Sequence, residues 1–526
     1  MAKYIPYDYN QTSMVVINFN DQIQPGTFEH AVHHLVDNKL DLSLFEQVYK
    51  NDYNGRPAYD PAILLKIILF AYSKGITSSR EIASCCRHNI LFMALSCQSN
   101  PHFTTIADFI SGHSEAVESL FEQVLLVCDQ EGLLGHELFA IDGCKMPSNA
   151  SKEWSGTHKE LANKRDKIKH LIKHHTEKHQ QMDLLESDCD TIDESTLQAK
   201  RHEQAIETLN KSADKIDNFL NTNEPRMGKG KKPKEVKSNI TDNESAKMTT
   251  SKGTIQGYNG IASVDKKHQV IISADTFGEG QEHHTLVPIL ETIKARYKRL
   301  GLSDDLFKTD IIVTADTGFA NEANMEYLHE NDINGYIPDN KFRSRDPKFK
   351  DHKIKHPRKS RAKKGSTTII PADEFNFDED TLNCICPNGE TLTHSGNVSD
   401  TKGNITARFT GRITQCRGCP KIKQCMKNPE STNKPNDNGR QVSFLLHKQN
   451  KPSHTDWMKE RVDSDKGKRI YSHRMSVVEP VFGNLEYNKK LTRFSLRGLK
   501  KVSTQWKLFC LIQNIEKIAN YGDIAA

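Results

Sequence analysis

Apolar positions change their spacing along the chain. Over the first third they follow a helical period. Asp60-Pro61 offers an N-cap acceptor followed by Pro at the first helical position. The run I-L-L-K-I-I-L-F from Ile63 to Phe70 is apolar nearly all round, which predicts a buried helix stopped by Gly75. Ser78-x-x-Glu81 has capping-box spacing and predicts a short helix carrying Arg80 and Arg87. Two more helices are expected at residues 105–110 and 114–131. The second has Val117, Leu120, Phe121, Val124 and Cys128 on one face and Gly132 at its end. Short helices with tight turns and exposed arginines suit a helix-turn-helix that binds DNA; they equally suit a helical domain that only packs.

From Glu137 the texture alternates. L-F-A-I-D-G predicts a strand ending at Asp142. A polar stretch follows, with Leu161, Ile168, Leu171 and Ile172 at helical spacing. After a break at 186–193, Leu197, Ala205, Ile206, Leu209, Ile216 and Phe219 continue the pattern. This predicts an antiparallel helical hairpin, inserted at 155–237 and closed by the Gly/Lys/Pro-rich linker 226–237. Strands are then expected at 256–265 and 269–275, a helix at 284–297, a strand at 310–316, a helix at 321–331 and a strand at G-Y-I-P-D. The order predicts an α/β fold, a mixed sheet flanked by helices. The expected division is an all-α domain over 1–135, a candidate for DNA binding, and an α/β domain over 136–526. The latter carries the hairpin and a second insertion, basic and Cys-containing, at 340–445. A helix around 474–488 and an amphipathic helix at 502–518 bearing Trp506 close the chain.

Composition narrows the class. The chain has 526 residues, 36% hydrophobic and 27% charged, with a net charge of only +5, so the distribution of charge says more than its sum. Residues 341–364 hold twelve Lys or Arg against two Asp, which suits contact with a phosphate backbone. The most apolar run, 62–72, is short and interrupted by Lys66, so no membrane span is expected. No basic, then apolar, N-terminal signal is present, and a cytoplasmic location is expected. Five of the twelve cysteines fall between Cys384 and Cys425. Cys416-x-x-Cys419 with Cys386 and Cys425 gives four candidate ligands for a structural Zn²⁺, against reduced thiols in a β-rich insertion. The C-x-C pair Cys384/Cys386 leaves one cysteine surplus.

Three acids carry the candidate chemistry. Glu479 stands among Val478, Val481, Phe482 and Leu485, and a carboxylate on a half-buried helix is costly unless paired. Asp142 and Asp316 each end an apolar strand and are followed within two residues by Gly. Asp275 also ends a strand and competes; strand-terminal Asp is often only a turn former. Phosphodiester cleavage suits two Mg²⁺ (or Mn²⁺) ions about 4 Å apart, held by carboxylates at adjoining strand ends.

These residues resemble a family. Asp142 in A-I-D-G, Asp316 in T-A-D-T-G-F and Glu479 in V-E-P-V-F-G-N-L look like the DDE transposases of bacterial insertion sequences, in the branch with an InsH-like helical N-terminal domain. G-R-P-A-Y-D-P, I-Q-G-Y-N-G, I-I-S-A-D and R-G-L-K-K-V extend the likeness over nearly the whole chain. The resemblance implies a ribonuclease-H-like core, with Asp142, Asp316 and Glu479 as catalytic ligands of two Mg²⁺ or Mn²⁺ ions. It also implies cleavage at the element's terminal inverted repeats, transfer of the freed 3′-hydroxyl into target DNA, and a homodimer on DNA. Tyr471 and Arg474 match the family's Tyr-x-x-Arg, although Arg474 is one residue farther from Glu479 than the pattern has it. Glu486 stands where a DNA-contacting Lys is expected, so Lys489 or Lys490 are the substitutes, with Arg497 in the basic turn as a further contact. The alternatives are an inactive or domesticated DNA-binding protein on the same scaffold, and a different nuclease such as a resolvase.

Overall fold

A computed structural model describes residues 16–47, 57–185, 192–229, 233–251, 253–349, 369–399, 403–433, 438–447 and 453–523. The Gly-Arg start of G-R-P-A-Y-D-P, the hairpin turn, part of the 226–237 linker and most of the 341–364 basic run lie outside them.

The N-terminal region is helical: α1 Phe28–Asn38, α2 Pro61–Ser73, α3 Ser79–His88, α4 Ile90–Leu95, α5 Phe103–Gly112 and α6 Ser114–Gln130. Asp60 caps α2 by accepting from the Ala62 N–H at 2.7 Å. Every residue from Leu64 to Tyr72 is buried, Lys66 included, whose ammonium reaches Asp37 at 2.6 Å. The chain leaves α2 through Gly75 at φ +75°, a conformation costly for a residue with a β-carbon. The capping box at Ser78 does not form, since its side chain makes no cap bond. Two helices, α1 and α4, were not expected from the apolar spacing. Asn89 starts α4 by accepting from the Leu91 N–H at 3.0 Å.

The sheet is built from β1 Leu138–Pro147, β2 Ala246–Thr250, β3 Gly253–Asp265, β4 Ile271–Phe277, β5 Ile312–Ala315 and β6 Asn334–Tyr336. Its order is β2-β3-β1-β5-β6, and β4 shares the outer edge of β3 with β2. β1 runs antiparallel to β3 and parallel to β5; β6 is parallel to β5. Three antiparallel strands followed by two parallel ones give the ribonuclease-H-like mixed sheet. β1 does not end at Asp142 but continues five residues, because β3 is long enough to pair with it as far as Pro147.

Helices cover both faces. On one lie α11 Asp465–Gly483 and α12 Leu499–Tyr521. Here Trp506 is fully buried, donates to the Ile261 carbonyl at 3.1 Å and sits on Gly260, where a β-carbon would come within 3.3 Å of the indole. On the other lie α9 Leu286–Arg299 and α10 Glu322–Glu330, with Tyr297 of α9 6.0 Å from the Phe139 ring. The Asn514 carboxamide of α12 both donates to the Ile271 carbonyl and accepts from its N–H, each at 2.8 Å.

The helical hairpin is α7 His158–Leu185 with α8 Ile192–Thr222. Its narrow core is Leu161, Ile168, Ala213, Ile216 and Phe219. Leu171, expected in that stripe, is 49% exposed. At its base Ser155-Gly156 pairs antiparallel with Ser238-Asn239.

The compact units are Met1–Phe342 with Met458–Ala526, and Arg343–Trp457. The N-terminal helices pack on the α/β core through α12: Tyr72 stacks on Phe509 at 4.8 Å. Buried Arg296 of α9 reaches Glu118 of α6 at 2.6 Å, and Lys507 of α12 meets the same carboxylate at 2.7 Å. The second unit is a five-stranded antiparallel sheet in chain order: β7 Asn376–Asp378, β8 Asn383–Ile385, β9 Thr391–Ser399, β10 Ile405–Thr410 and β11 Gln441–His447. Among the described residues no helix is long and apolar enough to cross a membrane.

Candidate active site

Two of the three expected acids meet. The last parallel pair between β1 and β5 is Ile141 with Ala315, so Asp142 and Asp316 occupy the next positions on adjacent strands. Parallel neighbours lie about 4.8 Å apart. Apolar burial fixes the register: Phe139, Ala140 and Ile141 are buried beside Val313, Thr314 and Ala315.

Arg474 of α11 reaches both. Its guanidinium lies 2.8 Å from Asp142 Oδ2 and 3.5 Å from Asp316 Oδ1. Arg474 is itself buried, on the stripe formed by Val477, Val478, Val481 and Leu485 that seats the helix on the sheet. Burial pushes the Asp142 carboxyl above the ordinary carboxylate value. Arg474 and the Gly143 N–H, which donates to Asp142 Oδ1 at 2.9 Å, oppose that rise, and Asp316 adds to it. For Arg474 burial works against the charge, yet Asp142 and neighbouring groups hold its pKa above the usual value. Tyr471, one turn earlier, stands edge-on to Phe342 at 5.3 Å, with the Arg474 guanidinium 5.8 Å from its ring.

Glu479 lies elsewhere on α11. It is exposed, one residue round the helix from buried Val478 and about 7.5 Å along the axis from Arg474. The expectation that it carries a burial cost is therefore corrected: the helix turns its valines inward and leaves this carboxylate in solvent. Among the described residues no three His, Cys, Asp or Glu side chains form a ready-made metal-holding group. Asp275 does not join the pair. It accepts from Ser273 Oγ at 2.6 Å and lines another cavity, with Lys507 and Ser114.

The basic candidates divide. Lys489 is 1% exposed and its ammonium contacts Glu516 at 2.5 Å, so it does not present its charge to solvent; this corrects its expected place as a DNA contact. Lys490 is exposed, and so is Arg497, whose Nε donates to the Asn149 carbonyl at 2.7 Å. Glu486 is exposed and lines a cavity of about 340 Å³ with Cys144, Phe482, Leu485 and Trp506, beside the Asp142 face of β1.

One acid was missed. Glu282, in the loop between β4 and α9, abuts both glycines that follow the aspartates. A β-carbon on Gly143 would lie 3.0 Å from its Oε1, and one on Gly318 would collide with its Oε2. Buried Asn259 donates to Glu282 Oε1 at 3.1 Å. Burial raises the Glu282 pKa, and Asp142 and Asp316 raise it further. Since Gly143 faces away from Asp142 along β1, Glu282 supports the strand ends from the far side of the sheet. The D-G and D-T-G motifs are the signal that could have found it, since a glycine after each acid marks close approach.

Asp142 and Asp316 supply hard oxygen donors at adjoining strand positions, and Asp316 is 40% exposed, open to an ion and its waters. In donor chemistry the pair fits a divalent cation. Its present counter-charge is Arg474.

Residues 385–519 match a family described as "Transposase DDE domain", and residues 17–112 match one described as "Transposase domain (DUF772)". The first match includes Tyr471, Arg474, Glu479 and four of the five clustered cysteines, Cys386, Cys416, Cys419 and Cys425; Asp142 and Asp316 lie outside both. No individual curated protein matches the chain.

Proposed function

We propose, from the premise that this chain is a DDE transposase of the insertion-sequence type acting on DNA, that it cleaves the ends of its element and joins the freed 3′-hydroxyl to target DNA. The observation that carries this is the convergence of Asp142 and Asp316 on Arg474, from two strands and a helix far apart in sequence.

Transposases of this family generally use divalent metal ions. In this chain Asp142 and Asp316 would hold Mg²⁺ or Mn²⁺, with Glu479 of α11 as the third carboxylate. Such ions supply Lewis-acid activation of the attacking oxygen and stabilise the leaving one. Arg474 sits where it balances charge between the acids and a scissile phosphate; a guanidinium suits phosphate because of its planar donor fork. The Tyr471 ring lies 5.8 Å from the same guanidinium. Lys490 and Arg497 offer exposed charge to the backbone on either side of the cut. In the first step water attacks phosphorus and the P–O3′ bond breaks; in the second the freed 3′-hydroxyl attacks a target phosphorus and the target's own P–O3′ bond breaks, its 3′-oxygen leaving as a hydroxyl. The N-terminal helices and a homodimer that holds two ends together complete the reading.

The test is nicking of duplex oligonucleotides carrying the element's terminal repeats. With Mg²⁺ the wild type nicks at the repeat end, and Asp316→Asn abolishes nicking while retaining the mobility shift. Binding without cleavage in Mg²⁺ or Mn²⁺ by the wild type would favour the retired-scaffold alternative. Cleavage without joined product would favour a nuclease of another kind.

A further inference from the structure

We propose that Cys386, Cys416, Cys419 and Cys425 bind one structural zinc ion that locks the Arg343–Trp457 unit. All four line a single cavity of about 40 Å³, reached from three separate segments. Cys416 and Cys419 flank a tight turn in which the Cys419 N–H donates to the Cys416 carbonyl at 3.2 Å. Cys425 follows on a short helical turn, its N–H bonded to Lys421. Cys386 comes from the turn C-P-N-G, closed by the Gly389 N–H to the Cys386 carbonyl at 2.8 Å, with Gly389 at φ +86°. The Lys421 ammonium donates to the Pro387 carbonyl at 2.7 Å and Gln415 to Glu390 at 2.8 Å, so the two arms are tied beside the cavity.

Cys416 Sγ is closely surrounded: β-carbons built on Gly411 and Gly439 would stand 3.0 and 2.7 Å from it, the second also meeting the Gly411 carbonyl. The Arg440 N–H donates to the same sulfur at 3.5 Å. Arg440 lines the same cavity, and its charge would offset part of the double negative charge of a four-thiolate zinc centre.

The fifth cysteine is accounted for. Cys384 is fully buried with Phe375, Leu392, Ala407, Phe409 and Val442 and does not line the cavity. That core is small for the length of chain it serves, which is the situation in which small folds recruit a metal staple. No three of these thiols are yet grouped at metal-holding positions; binding turns the side chains inward and releases thiol protons. Four sulfurs without an open position make a closed, structural site.

The test is metal analysis of the full-length protein purified under reducing conditions. The expected result is close to one zinc per chain, lost in Cys419→Ser/Cys425→Ser and kept in Cys97→Ser, a control at an exposed cysteine in the helical region. Should the double variant fail to fold, zinc-stripped wild type is titrated with Co²⁺; intense thiolate-to-cobalt charge transfer with tetrahedral ligand-field bands is expected. Zinc-free protein that gives no such bands, zinc retained by the double variant, or iron in place of zinc would each overturn the assignment.

Discussion

The Glu282 carboxylate occupies the space that a side chain at position 318 would need. A methyl group at 318 would thus have to displace that carboxylate, whereas the Gly318 backbone, which has no positive φ, does not itself call for glycine. Gly318→Ala is expected to cost about 1–3 kcal/mol through overpacking. Combining it with Glu282→Ala is expected to recover most of that loss. A double-mutant cycle in urea measures the coupling; purely additive effects would contradict the contact.

Glu282 also gives a pH-dependent stability. Its folded pKa is raised, first by burial, then by Asp142 and Asp316. A raised carboxylate favours the fold while protonated, and that favour is lost as pH rises through the folded pKa. Glu282→Gln keeps an acceptor for Asn259 and removes the charge. It is expected to melt a few degrees higher than wild type near pH 8, in EDTA. The gain should shrink toward zero as pH falls to about 3, below the ordinary glutamate value, where both states of the wild-type group are protonated. Equal melting at both pH values would show that burial of this carboxylate costs nothing.

Arg474→Met tests the charge balance directly. It leaves two neighbouring carboxylates without their buried counter-charge, at a cost of about 2–4 kcal/mol in EDTA. If the pair takes a divalent cation, Mg²⁺ should raise the melting temperature of the variant more than that of the wild type, since binding to the folded form alone stabilises it. A thermal shift indifferent to Mg²⁺ in both proteins would count against a metal at Asp142 and Asp316.

Asn514→Leu should be among the most damaging changes far from the acids. It strands both the N–H and the carbonyl of Ile271 on a buried strand where α12 docks. Each unsatisfied buried group costs about 1–3 kcal/mol, so a loss of about 2–5 kcal/mol is expected. Chemical denaturation reads it, and a loss below 1 kcal/mol would mean that the helix end repacks.

Much of this fold could be read from residue spacing because its strands are built on apolar runs. Ile312–Ala315 and Ile271–Phe277 lie close to where the apolar runs put them. What stayed hidden depends on partners distant in sequence. β1 continues beyond Asp142 because β3 pairs with it, and nothing in L-F-A-I-D-G reveals that neighbour's length. Lys489 looks like a surface cation until Glu516 of the next helix is folded against it. Asp142 and Asp316 were legible as acids that close an apolar run and are followed by glycine, although β1 itself runs on to Pro147. Glu282 was not, because a loop acid has no periodicity. The burial of Glu479 was misjudged because apolar neighbours in sequence were taken for neighbours in space; on α11 the valines share one stripe and the glutamate lies beside it.

The two-residue clamp beneath the helical hairpin has a consequence for synthesis. β1 is complete at Pro147, but its antiparallel neighbour begins only at Gly253. At a translation rate of about 5–20 residues per second, the nascent strand waits roughly 5–20 s for its mate. The intervening hairpin can fold on the ribosome from local contacts and bring its own ends together. When β3 emerges, it is delivered to the edge of β1 as though from a short loop, so the spur shortens the search that its own length would otherwise impose.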